Sequence, residues 1–133
     1  MGTVNSEQRI DNSPPKKTGS YRDLVVWQKS IDLCTTTYAL TKKYPRDELF
    51  ALTSQTRRAA VSIPANIAEG YGRNTKKEFA HFLSISQGSL TELETLLTIA
   101  KNLSYCTSED CSTIDKLANE VGRMLYSLRE TLH

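Results

Sequence analysis

Histidine is scarce in this 133-residue chain, cysteine comes in an odd number, and no apolar run is long enough to span a bilayer. The two histidines are His81 and the C-terminal His133, so no nucleophile, base and orienting group can be assembled around an imidazole. Cys34, Cys106 and Cys111 match no zinc or redox spacing, and reduced thiols are expected. Uncharged runs such as Leu33 to Thr41 fall far short of the roughly 20 apolar residues that a membrane-spanning helix needs. The first twenty residues hold no apolar stretch that could act as a signal peptide, so a cytoplasmic protein away from membranes is expected. Four prolines and six glycines are few enough for long regular elements.

What is present reads as one all-α domain. Hydrophobic residues make up 38% and charged residues 24%, close to globular averages, and the length suits a single core. Residues 1–20 lack periodicity and carry Pro14-Pro15-Lys16-Lys17, so a disordered polar tail is expected there, followed by a bundle domain over 21–133. From Arg22 to about Tyr44, Leu24, Trp27, Ile31, Cys34 and Tyr38 recur at three- and four-residue steps, which predicts a first helix buried on that face. Pro45 ends it.

A second helix is predicted on Leu49, Leu52, Thr56, Ala59 and Ile63, with Asp47 and Glu48 in its first turn, a kink at Pro64, and Gly70 and Gly72 as terminators. Asn66 is placed to satisfy a carbonyl freed by that kink. Thr75-Lys76-Lys77-Glu78 has the pattern of a capping box and opens a third helix. Phe79, Phe82, Ser86, Ser89, Leu93, Leu96, Ala100 and Leu103 then hold one register, beside a second stripe at Leu83, Leu90 and Leu97. That second stripe faces either the other helices or another subunit. A fourth helix starts near Thr107 to Asp110 and carries Ile114, Leu117, Val121, Met124, Leu125, Leu128 and Leu132. The short connections imply an antiparallel, up-down-up-down four-helix bundle.

Charge is uneven. The net charge is +2, but residues 42–77 hold eight bases, Lys42, Lys43, Arg46, Arg57, Arg58, Arg73, Lys76 and Lys77, against three acids. Within this segment Arg57, Arg58, Arg73, Lys76 and Lys77, with Tyr71 among them, form the candidate nucleic-acid-binding group at the junction of the second and third helices. Clustered cations attract phosphate without reading sequence. The same residues also suit a solvated face. Glu78-x-x-His81 has a metal-bundle spacing but occurs once, and Gly70-Tyr71-Gly72-Arg73 lacks the strand and the lysine of a phosphate loop, so no metal and no cofactor are implied.

Particular residues carry a family resemblance. They are Tyr21-Arg22-Asp23-Leu24 with Trp27-Gln28-Lys29, the run from Arg57 to Gly70 with its Ser62-Ile63-Pro64-Ala65-Asn66-Ile67-Ala68-Glu69-Gly70 core, Gly72-Arg73, Lys77-Glu78-Phe79, Phe82-Leu83, and Gly88-Ser89-Leu90-Thr91-Glu92-Leu93-Glu94. From about Tyr21 to Leu132 the chain resembles the bacterial four-helix bundle proteins encoded in intervening sequences of large-subunit (23S) rRNA genes. The resemblance implies a homopentamer around a central channel, an association with RNA or DNA, and no catalytic residues. Ser62, Pro64, Asn66, Glu69 and Gly70 form its structural fingerprint. A related branch, the accessory variability determinant of diversity-generating retroelements, is a similar pentamer that partners a reverse transcriptase. A protein-interaction scaffold of that kind is therefore the alternative to a nucleic-acid-binding oligomer.

Overall fold

The computed structural model describes residues 19–133, which form four α-helices: α1 (Val25–Thr41), α2 (Leu52–Tyr71), α3 (Lys76–Asn102) and α4 (Ser112–Glu130). Short 3-10 turns at Tyr21–Asp23 and Arg46–Glu48 precede α1 and α2. Among the described residues there is no strand, and the fold is the predicted four-helix arrangement. Apart from Gly19 and Ser20, the expected tail lies outside the described residues.

Each helix packs mainly on two neighbours, α1 on α2 and α4, and α3 on α2 and α4, which closes a ring. Long-range pairs fix its direction. Lys43, just past α1, meets Asp110, just ahead of α4, at 3.2 Å, and Tyr105 in the α3–α4 connection donates its hydroxyl to Glu48 in the α1–α2 connection at 2.7 Å. Both connections therefore sit at one end of the bundle. The α2–α3 turn lies at the other, where the Tyr71 hydroxyl reaches the Gly19 carbonyl at 3.5 Å.

The buried face of α1 only partly matches the one that hydrophobicity picks out: Leu24 and Cys34 are buried, but the rest of the stripe is not. Val26, Ser30, Leu33, Thr37 and Leu40 face the core, whereas Trp27 and Ile31 are half-buried and Tyr38 is 38% exposed. Ser30 and Thr37 can be interior because their hydroxyls donate at 2.8 Å to the carbonyls of Trp27 and Leu33 in their own helix, so no polar group is stranded. Thr56 uses the same device in α2, donating to Leu52 at 2.7 Å. Trp27 instead packs edge-on against Tyr21, with ring centroids 5.2 Å apart.

α2 starts later than expected. Asp47 and Glu48 belong to the preceding 3-10 turn, Leu49 is exposed, and the Glu48 carboxylate caps α2 from outside by accepting from the Leu52 amide at 3.2 Å. α3 opens at its predicted cap: the Thr75 hydroxyl oxygen accepts from the Glu78 amide at 3.1 Å. The return half of the box differs, because the Glu78 carboxylate accepts from the Thr75 hydroxyl at 3.2 Å rather than from its backbone amide. Leu83, Leu90 and Leu97 are all buried within this bundle, which settles the second stripe of α3 as core and removes it as surface for another subunit. Leu103, by contrast, ends the first stripe half exposed.

Candidate nucleic-acid interface

The five candidate cations do not come together. Arg57 and Arg58 lie in the second turn of α2, whereas Arg73, Lys76 and Lys77 lie past its far end, sixteen residues or about 24 Å of helix away from Arg57. A linear reading of segment 42–77 hides this, because residues that share a segment sit at opposite ends of α2.

At the α2–α3 end, Arg73 is engaged. Its guanidinium pairs with Glu69 at 2.7 Å and lies over the Phe82 ring, 4.8 Å from the centroid. This geometry clamps the turn onto α3. Glu69 is thereby paired within its own helix end. Lys76 and Lys77 are exposed in the first turn of α3 and have no ion pair among the described residues. His81 is exposed and stacks edge-on against Phe82, while Glu78 is occupied at the cap, so the Glu78-x-x-His81 spacing serves local structure.

At the opposite end, Arg57 keeps different company. Its Nε donates to the Thr41 hydroxyl at 2.8 Å, and its guanidinium carbon lies 4.8 Å from the centre of the Tyr38 ring. It lines a 220 Å³ cleft with Lys42 and Arg46, two cations counted in the basic segment but not chosen as site residues. Their position flanking Tyr44-Pro45 was the available signal: a chain reversal there brings the end of α1 back onto the start of α2. Arg58, on the exposed side of α2, has no ion pair among the described residues.

Between the two ends the fingerprint residues join α2 to α3. Ser89 donates to the Ser62 hydroxyl oxygen at 2.8 Å, and the Asn66 amide donates both to that oxygen at 2.9 Å and to the Ser62 carbonyl at 2.8 Å. Ser86 donates to the Ile63 carbonyl at 2.9 Å. Pro64 is buried within α2, and the carbonyls served by Asn66 and Ser86 are those of Ser62 and Ile63 rather than that of Ala60, which the proline ring leaves without its amide. Gly70 is not a terminator. It lies inside α2, where a Cβ would sit 2.7 Å from the Cβ of Phe82, so its missing side chain lets α3 approach. Gly72 does cap the helix, in a right-handed conformation.

All three cysteines are free and buried; Cys106 and Cys111 lie with their sulfurs 3.4 Å apart. Burial pushes the Cys34 thiol up, and burial together with the Cys106 contact pushes Cys111 up to about 12, which leaves these as unreactive core groups. None of the helices is long and apolar enough to cross a membrane among the described residues.

The architecture is thus an antiparallel four-helix bundle whose most specific sequence segment is spent on seating α2 against α3. The model of the 23S rRNA-intervening sequence protein family matches residues 22–127, and the chain belongs to that family. No curated protein matches it.

Proposed function

We propose that the protein is a non-enzymatic, oligomeric bundle that binds the phosphates of RNA or DNA through exposed cations on and beside α2. The observation that carries this reading is the lack of compensation in segment 42–77. Of its eight cations only Lys43 and Arg73 form ion pairs among the described residues, which leaves Lys42, Arg46, Arg57, Arg58, Lys76 and Lys77 to meet an outside anion. Lys76 and Lys77 add weight, because lysines in a first helical turn oppose the macrodipole at a cost of some tenths of a kcal/mol that a bound anion reverses. A homo-oligomer, a pentamer by the family resemblance, would repeat these weak contacts and add them through effective concentration. Val61 and Ile85, 43% and 38% exposed on α2 and α3, are apolar surface that such an assembly could cover.

The test is fluorescence anisotropy of a labelled structured RNA and a duplex DNA across a salt series, with sedimentation of the protein in the same buffers. A variant combining Arg58→Glu, Lys76→Glu and Lys77→Glu is compared; Arg73 is left intact because it clamps the turn. Binding that weakens steeply with salt supports the reading, and its loss in the folded variant would assign it to Arg58, Lys76 and Lys77 rather than to the other unpaired cations. Salt-independent binding, or none at micromolar protein, transfers it to a protein-interaction scaffold such as an accessory subunit of a reverse transcriptase.

A further inference from the structure

We propose that the cleft between the end of α1 and the start of α2 holds one backbone phosphate of a single-stranded nucleic acid, with the exposed Phe50, next in sequence to the cleft-lining Leu49, stacking on a neighbouring base. The inference rests on the nucleic-acid reading above and gives it a built site, at the bundle end opposite Lys76 and Lys77.

Charge is the first argument. Every charged side chain lining this cleft is positive: Lys42, Arg46 and Arg57. Two other surface grooves mix signs, with Asp32 and Glu120 beside Lys116 and Arg123 in one, and Glu94 beside Arg123 in another. The nearby carboxylates form no ion pair with the cleft cations. Glu48 is committed to the Leu52 amide and the Tyr105 hydroxyl, Asp110 to Lys43, and Asp47, next to Arg46 in sequence, neither lines the cleft nor forms an ion pair among the described residues. Lys42, Arg46 and Arg57 have no ion pair among the described residues.

Preorganisation is the second. The Thr41 hydroxyl donates to the Tyr38 carbonyl at 3.1 Å and accepts from Arg57 Nε at 2.8 Å, while the Tyr38 ring lies under the guanidinium. One edge of the guanidinium is therefore fixed, and both terminal amino groups remain to form the paired hydrogen bonds that arginine makes with phosphate oxygens. At 220 Å³ the cleft is smaller than sites for whole drug-sized ligands and suits a single tetrahedral oxyanion.

The third argument selects a polymer, and a single strand. Phe50 is 92% exposed, directly follows the cleft-lining Leu49 in sequence, and is not part of the hydrophobic core. A free phosphate has no use for it. Single-stranded chains combine backbone cations with aromatic platforms for unpaired bases, whereas bases stacked inside a duplex are out of its reach.

The experiment is anisotropy of labelled 12-nucleotide oligo-dT and oligo-U, and of a duplex, against the full chain between 50 and 200 mM salt. The variants are Lys42→Gln with Arg46→Gln, Phe50→Ser, Arg57→Gln, and Lys76→Gln with Lys77→Gln. Arg57 is half-buried, so the first two variants, confined to exposed side chains, carry the test if Arg57→Gln misfolds. The Lys42/Arg46 variant is expected to weaken single-strand binding on the order of 10-fold and to lower the log–log salt slope by about 1.4. Phe50→Ser is expected to weaken it at least about 5-fold, leave the slope unchanged and leave duplex binding as it was. Binding that responds to Lys76 and Lys77 but not to the cleft variants overturns this site while leaving the broader reading standing. Equal affinity for inorganic phosphate and for the 12-mer overturns the polymer, and no binding of any nucleic acid by the unmodified chain overturns both readings together.

Discussion

Gly70 and Phe82 hold α2 and α3 closer than any side chain at position 70 would allow, since a Cβ built on Gly70 meets the Phe82 Cβ at 2.7 Å and Phe79 Cδ1 at 3.0 Å. Gly70→Ala must therefore push the two helices apart, with an expected cost of about 1–3 kcal/mol. Gly88, in the same helix pair, has open space around its Cβ position. Gly88→Ala should gain about 0.5–1 kcal/mol from helix propensity alone. Urea unfolding of the two variants, with sedimentation to hold the oligomeric state in view, reads the opposite signs directly; a harmless Gly70→Ala would refute the close approach.

Ser62 accepts two hydrogen bonds on one oxygen, from Ser89 and from Asn66. Ser62→Ala strands part of both donors and is expected to cost about 1–3 kcal/mol, whereas Ser89→Ala removes one donor and leaves Asn66 in place, for about 1 kcal/mol. In the double variant no Ser89 donor is left unpaired, so its loss should fall short of the sum by at least about 0.5 kcal/mol. A double-mutant cycle in urea measures that coupling. Strict additivity would mean that the two hydroxyls do not meet.

The helices, their order and most of the core of α3 and α4 were legible, because leucine-rich stripes such as Leu83, Leu90 and Leu97 report burial without ambiguity. The interior of α1 was not. Ser30 and Thr37 count as polar in any periodicity argument, yet a hydroxyl that bonds its own helix behaves as a small core group, so the predicted stripe kept the buried Leu24 and Cys34 but wrongly took in Trp27 and Tyr38. The basic group failed for a different reason. Proximity along the chain stood in for proximity in space, and the twenty-residue α2 separates Arg57 from Lys76 while the turn at Pro45 joins it to Lys42 and Arg46.

Ser104 follows α3 with φ at 63°, a left-handed conformation, and closes the helix as the Tyr105 amide donates to Ala100 at 2.9 Å and its own amide donates to Lys101 at 3.0 Å. Glycine is the usual residue at this position of a Schellman cap because it has no Cβ to oppose the conformation. The left-handed penalty of about 1–2 kcal/mol exceeds the added chain entropy of glycine. Ser104→Gly is therefore expected to stabilise the protein by up to about 1 kcal/mol, seen as a rise in Tm of a few degrees. Ser104→Ala, which keeps the Cβ, should give no gain.

Cys111 gives the protein a weakness at alkaline pH. Its thiol is fully buried, beside Cys106, and burial first and that contact second push its pKa up to about 12 in the folded chain. In the unfolded chain a cysteine titrates near 8.5. Below that pH both states hold the proton and the contribution to stability is complete. Between there and about 12 the unfolded chain releases its proton while the folded chain keeps it, so the unfolded state binds fewer protons and stability falls as pH rises. The slope from one such thiol is at most about 1.4 kcal/mol per pH unit. Cys34 and Tyr44, both raised mainly by burial, act in the same direction. Urea midpoints between pH 8 and 10 should therefore fall more steeply for the unmodified protein than for Cys111→Ala, which loses packing at every pH but carries no thiol there to titrate. Parallel slopes would mean that Cys111 ionises as readily folded as unfolded, and so that the thiol pair is open to water.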